Sequence, residues 1–232
     1  MRDVEPLFSK KSYLYFFCCT FCYKICYKLR LDFKLIFLLF RSAHQVVMHP
    51  TQVLYFCGFC LFFSAPYAVS KIQPFLSACY RHYIIFGLSV LNVIGVIWKF
   101  TIAHPYLLAD NRHYVFYIWK KIITRWSPIA LSPIYLFGGY CVLHSLRRTD
   151  LAFKLAFPLC VIINLVPTYL LEFRYFVIPF FLYRLQVRPL SWWKLIFEFV
   201  MFSVINIGTI YLFLFKSFRW SHDTENIQRF MW

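Results

Sequence analysis

Asp110, Asn111, Arg112 and His113 stand in four consecutive positions, between two segments oily enough to cross a bilayer. A carboxylate can accept a proton or a hydroxyl hydrogen bond. A guanidinium offers a planar fork that fits two phosphate oxygens, and an imidazole can donate to the same group. Around them lie His104, Lys120, Lys121 and Arg125, interleaved with Tyr106, Tyr114, Tyr117 and Trp119. Val115, Phe116, Ile118 and Ile122 fill the gaps, which suits a short interfacial helix. Held at a membrane surface, such a cluster fits a phosphorylated or sugar-bearing lipid. The competing reading is a basic and aromatic interface belt, yet a belt uses Lys, Trp and Tyr and has no need of residues 110–113.

A second group comprises Glu172, Arg174 and, further along, Tyr183 and Arg184. Residues two apart on a helix do not face each other, so no direct pair between Glu172 and Arg174 is implied. Two readings stand: charges anchoring a helix end, or phosphate and sugar contacts facing a cavity, since ionisable residues among spans are functional candidates. The cysteines carry less. Cys57 and Cys60 have redox-like spacing but lie within an apolar run with no His nearby, and read as small buried residues. Cys18, Cys19, Cys22 and Cys26 lack the second pair that a zinc site needs. No metal site is expected.

The elements that must position these groups are membrane spans. Hydrophobic residues make up 61% of the chain and aromatics 23%, with a mean hydropathy of +0.62; long uncharged apolar runs at that level define an integral membrane protein. The formal charge is +16, from 25 basic and 9 acidic residues. The basic residues sit between apolar runs, so membrane lipid and phosphate-bearing substrates are the expected partners, and nucleic acid is not. Five apolar segments stand out, at 53–69, 83–98, 129–143, 155–171 and 195–215. The last spans about 31 Å as a helix. Residues 173–183 form a sixth short helix or a segment lying at the interface. Prolines 158, 167 and 179 favour kinked or broken helices there.

The fold class is therefore all-α, with five or six transmembrane helices. Residues 1–40 differ in texture: Lys24, Lys28, Arg30 and Lys34 interrupt any span, and a basic helix lying flat on the surface is the alternative. With five spans, the 104–121 loop shares its side with residues 1–50 and 172–194, the side that the basic residues favour as cytosolic. The C-terminal tail falls on the other. If residues 1–40 cross once, the two sides balance and orientation is left open.

Three strings carry a family resemblance: residues 104–121, residues 171–184, and the tail Ile227, Gln228, Arg229, Phe230, Met231 and Trp232. Together they resemble the endoplasmic-reticulum α-1,2-glucosyltransferases that use dolichyl-phosphate glucose to add the last glucose to the lipid-linked oligosaccharide of N-glycosylation. The likeness runs from about Arg41, Ser42, Ala43 and His44 to Trp232. Val115 stands where the family more often has Thr. The resemblance implies a multi-pass endoplasmic-reticulum membrane protein of glycosyltransferase C type, with about a dozen spans in the family and an acid-rich Asp-Glu-x-x-His string in its first lumenal loop.

No such string occurs here. The resemblance therefore implies that residues 41–232 are a C-terminal transmembrane half with a partial fold, missing an N-terminal half. Residues 1–40 read as a segment not native to the family, and the chain alone is expected to be inactive. The expected substrate-binding set is Asp110, Asn111, Arg112, His113, Tyr114, Glu172, Arg174 and Arg184. Arg112, His113 and Arg174 are placed on the phosphate side. Asp110 and Glu172 are the only loop carboxylates in reach, weak candidates for catalysis, and the general base is assigned to the absent loop. The lipid donor is dolichyl-phosphate glucose, with no cofactor required. A non-catalytic membrane protein that modulates another membrane protein is the alternative.

Overall fold

The computed structural model describes residues 47–126, 128–188, 191–220 and 223–231. The Lys-interrupted stretch 1–40, residues 41–44 and Trp232, on which several expectations rest, lie outside the described residues.

The described chain is a helical bundle. Helix α1 (Thr51–Phe63) is followed by α2 (Ala65–Ala68), a 3₁₀ turn and α3 (Ile72–Arg81), then α4 (Tyr83–Phe100). Two short helices, α5 (Pro105–Ala109) and α6 (Tyr114–Ile118), make up the loop, with a π turn at Trp119–Ile123. Helices α7 (Pro128–Leu146), α8 (Leu151–Leu165), α9 (Arg174–Arg184) and α10 (Trp192–Phe215) complete the bundle. A hairpin of β1 (Ser217–Trp220) and β2 (Asp223–Arg229) ends it, antiparallel with Phe218 opposite Gln228. The all-α class holds, and the hairpin is an addition that the apolar pattern did not announce.

Helical periodicity builds the core. Phe153, Phe157, Val161 and Leu165 are buried at every fourth position of α8, and Phe176, Pro179 and Tyr183 mark one face of α9. Phe56 meets Phe176 edge-on at 5.9 Å, and Phe59 lies 5.5 Å from both Phe173 and Phe180. Helix α1 packs most extensively on α7, where Gly138 lies against the Cys57 backbone. Close approach of this kind depends on a residue without a Cβ. Helix α10 buries only Glu198, so its apolar surface faces outward. In water that surface would be a liability; in lipid it is matched to its solvent.

Among the described residues three helices are long and apolar enough to cross a membrane, α4, α7 and α10, and four if the bent pair before α4 counts as one span. Two of the five expected segments depart from a straight span for local reasons. The run 53–69 is interrupted after Phe63, where the chain turns by 85°. Ser64 there donates its hydroxyl to the Cys60 carbonyl, and Pro66 has no N–H with which to continue the helix. The run 155–171 stops being helical at Leu165, two residues before Pro167, which leaves 15 helical residues. Helix α3, beyond the bend, has no buried residue and carries Ile72, Phe75, Leu76 and Cys79 on one face. That pattern suits the plane of the interface rather than a crossing.

Helix α9 also changes the connectivity. It is a traverse of the bundle, not a loop on one side, so it returns the tail to the end that holds the 104–121 loop. The expectation that the tail lies on the other side is corrected by direct bonds: Met231 N–H donates to the Arg112 carbonyl at 2.9 Å, and Tyr114 N–H to the Met231 carbonyl at 3.3 Å.

Candidate functional site

Four segments meet at one end of the bundle: the start of α1, the loop with α5 and α6, the link 166–173 and the hairpin. Each is tied to the next. His49 N–H donates to the Val166 carbonyl at 2.9 Å, and the fully buried Gln52 donates its amide to the carbonyls of Thr168 and Leu170. Thr51 Oγ1 donates to the Phe100 carbonyl at 3.0 Å, holding the exit of α4. His104 caps α5, its Nδ1 accepting from Tyr106 N–H at 3.1 Å, with Pro105 in the first turn where no N–H is needed.

These ties enclose a cavity of about 350 Å³, within the range of small-ligand sites of roughly 300–1,000 Å³. Leu107, Val115, Leu171 and Phe173 make up much of its apolar wall. Asp110, His113, Glu172, Arg174 and Trp220 supply its polar groups. Two of the three strings singled out in the sequence thus line one cavity. The third closes over it through the hairpin.

Asp110 is gripped by Arg112. The guanidinium Nε donates to Oδ1 at 3.0 Å and Nη2 to Oδ2 at 2.7 Å, while Arg112 N–H adds a further bond to Oδ1. Those hydrogen bonds from Arg112 hold the Asp110 carboxyl below the usual carboxylate range, and the same bonds raise the guanidinium. His113 Nε2 lies 3.6 Å from Asp110 Oδ2. Glu172 and Arg174 do form a direct ion pair, against the helix-spacing expectation. The reason is local: α9 begins at Arg174, so Glu172 precedes the helix and its side chain turns back toward it. Arg174 remains 70% exposed and Glu172 20%, so the guanidinium is the reachable partner.

The remaining expected residues are placed differently. Asn111 Oδ1 accepts from Trp220 Nε1–H at 2.7 Å. Arg112 spends its other nitrogen on Gln228 Oε1 at 3.3 Å and lies 5.0 Å from the Trp220 ring centroid. Tyr114 donates its hydroxyl to the Thr209 carbonyl and stacks on Phe230. None of these three lines the cavity. They dock the hairpin, and the Arg112 guanidinium is engaged by Asp110 and Gln228. Arg184 is further off, about 15 Å along α9 from Arg174 by helical rise. It is paired with Glu198 through Nε–H to Oε1 at 2.6 Å and shares Tyr67 with it. Its guanidinium is engaged by a buried carboxylate.

Sequence reasoning missed Trp220 and Tyr106 as wall residues. Trp220 could not be read from spacing, because the hairpin that carries it across had no periodic signal.

The depressed Asp110 carboxyl gives a pH prediction. Its folded value lies below the unfolded one, so the pairing contributes stability above the ordinary carboxylate range and loses it as pH falls through the depressed value. The stability difference between the protein and Asp110→Asn is therefore full near pH 7 and closes as pH falls below the ordinary carboxylate range in detergent unfolding. A difference that stayed constant across that range would remove the Asp110–Arg112 pairing as its source.

Fold and site together define a class: a helical membrane protein with a cavity lined by carboxylates, an arginine and a histidine at one end of its bundle. The family model for the DIE2/ALG10 family matches residues 13–185, and the chain belongs to that family. The matched range takes in part of the stretch 1–40. A human Dol-P-Glc:Glc(2)Man(9)GlcNAc(2)-PP-Dol alpha-1,2-glucosyltransferase is 42% identical over 196 residues, covering 83% of this chain and 41% of the relative. The rat protein of that name is 42% identical over 198 residues, and the Arabidopsis thaliana protein 38% over 206, with 41% and 40% of those relatives covered. The chain thus spans about two-fifths of the length of these relatives. No solved structure matches it.

Proposed function

We propose that this chain contributes the donor side of an α-1,2-glucosyltransferase, acting on Glc2Man9GlcNAc2-PP-dolichol with dolichyl-phosphate glucose as donor in the endoplasmic-reticulum membrane. The observation that carries the reading is the cavity between the two membrane-flanked loops, whose wall holds His113 and Arg174 beside Asp110 and Glu172. The relatives' names supply the substrates.

In an inverting transfer, the acceptor 2-hydroxyl attacks the anomeric carbon as the bond to the phosphate breaks. Charge gathers on the leaving phosphate, and donors fixed near it lower the barrier. Arg174, with its exposed guanidinium, and His113 fill that role here. Asp110 and Glu172 each sit against an arginine, which suits them to accept sugar hydroxyls rather than to take a proton. The proton goes to a base in the part of the relatives' length that this chain does not match, which makes that part the proposed partner. No metal or other cofactor enters the scheme.

The test is complementation of a strain lacking the terminal glucosyltransferase. This chain alone is expected to leave the oligosaccharide diglucosylated. Co-expressed with the part of a full-length relative that it does not match, it restores the third glucose. His113→Ala or Arg174→Ala then lowers transfer by about 100-fold, the scale for losing one donor to a developing anion, at unchanged protein level. Full restoration by the chain alone would place the base within it. Failure of the pair, where the full-length relative succeeds, would favour a non-catalytic membrane protein.

A further inference from the structure

The cavity wall contains an aromatic ring that the phosphate reading does not use. Trp220 lines the cavity in company with Asp110, His113 and Glu172. Its indole is fixed in two ways: Nε1–H donates to Asn111 Oδ1 at 2.7 Å, and the Arg112 guanidinium lies 5.0 Å from the ring centroid. Arg112 and Asn111 do not line the cavity, so the ring is braced from outside and presented to the inside. A hexose offers a face of polarised C–H bonds and a rim of hydroxyls. Such a face settles on the negative face of an aromatic ring, and carboxylates beside it accept hydroxyl hydrogen bonds.

The bracing also explains an oddity of the loop. Arg112 and Asn111 are the residue types that ligate substrate, yet here both serve the hairpin. Gln228 on β2 receives Arg112 at 3.3 Å, and Met231 extends the contact as a parallel bridge to His113. The register between the strands shifts between Phe218 and Trp220, setting Trp220 opposite Asp223. The hairpin is thereby clamped at both strands to the loop whose carboxylate and imidazole it faces.

Resting on the donor-site reading above, we propose that Trp220 is the platform for the donor's sugar, delivered to the cavity by the docked hairpin and held there by Asn111 and Arg112. Specificity for a glucosylated lipid phosphate over a bare one then resides on the hairpin, and phosphate affinity on His113 and Arg174.

The experiment uses the full chain in nanodiscs and two probes, a short-chain polyprenyl phosphate glucose and the same polyprenyl phosphate without sugar, titrated by calorimetry. The protein is expected to bind the glucosylated probe about tenfold more tightly, the scale of one good aromatic contact. Trp220→Leu removes that preference and leaves the bare phosphate probe within about twofold. Trp220→Phe, which keeps a ring and loses the Asn111 bond, retains most of it, and Asn111→Ala lies between. A preference that survives Trp220→Leu overturns the platform. Equal loss of both probes in Trp220→Leu also overturns it, since that marks a collapsed hairpin. Binding of the two probes with equal affinity by the unmodified protein removes the platform and leaves the phosphate reading standing; binding of neither removes both.

Discussion

Glu198→Leu destabilises the bundle by about 3 kcal/mol, because it leaves Arg184 charged and enclosed with no carboxylate to neutralise it. The pair is shielded: 18% of the Arg184 side chain and 11% of that of Glu198 are exposed. The Nε/Nη2 edge of the guanidinium engages both carboxylate oxygens, Tyr67 donates its hydroxyl to Glu198 Oε2 at 3.0 Å, and the guanidinium lies 4.4 Å from the Tyr67 ring centroid. This one cluster ties α2, the end of α9 and the start of α10. Loss of the carboxylate therefore also loosens α10, whose other side chains are half-buried or exposed. The measurement is unfolding in detergent of Glu198→Leu beside the double replacement Arg184→Met with Glu198→Leu. The double variant recovers most of the loss, since an apolar pair has no charge to desolvate. A single variant as stable as the parent would show the pair to be solvated and incidental.

Gly138→Ala costs about 1–3 kcal/mol, and Gly138→Val more, through overpacking against a backbone that cannot rotate away. A Cβ at this position would overlap the Cys57 carbonyl oxygen, and carbonyl carbon at 2.8 Å. Forcing α1 and α7 apart there also disturbs the site, because the first turn of α1 carries Gln52 and with it the link to Leu170. The adjacent Gly139 is the control. A Cβ there meets only the Cys57 sulfur at 3.7 Å, an ordinary contact, so Gly139→Ala is tolerated. Thermal unfolding of the two variants side by side checks the claim, and equal behaviour would refute the close approach.

Much of the site was legible before any coordinates. A carboxylate and an imidazole in residues 110–113 cannot be a lipid-facing surface, and both Asp110 and His113 line the cavity. Glu172 and Arg174 were found by the same logic of ionisable groups at the edge of an apolar run. Their pairing was not, because helical spacing rules apply only inside a helix, and α9 starts at Arg174. The partners of Arg112 and Arg184 were not legible for a related reason. Composition tells which residues can bind an anion, not whether an internal carboxylate has already taken them. Glu198, the partner of Arg184, was visible as a lone acid in an apolar run, but nothing in the pattern linked residues on separate helices.

By itself the sequence determined the membrane class, the helical elements and the polar groups that belong at the surface, since hydropathy and 3.6-residue periodicity are local properties. Only the tertiary structure decided where the spans break, which end of the bundle receives the tail, and which charged groups face the cavity. Those outcomes depend on long-range packing: Pro66 and Ser64 redirect α1, α9 adds a traverse, and the hairpin brings Trp220 to Asn111 across 109 positions of sequence. The loop supplied the chemistry, and the fold chose which of its residues are exposed to a ligand.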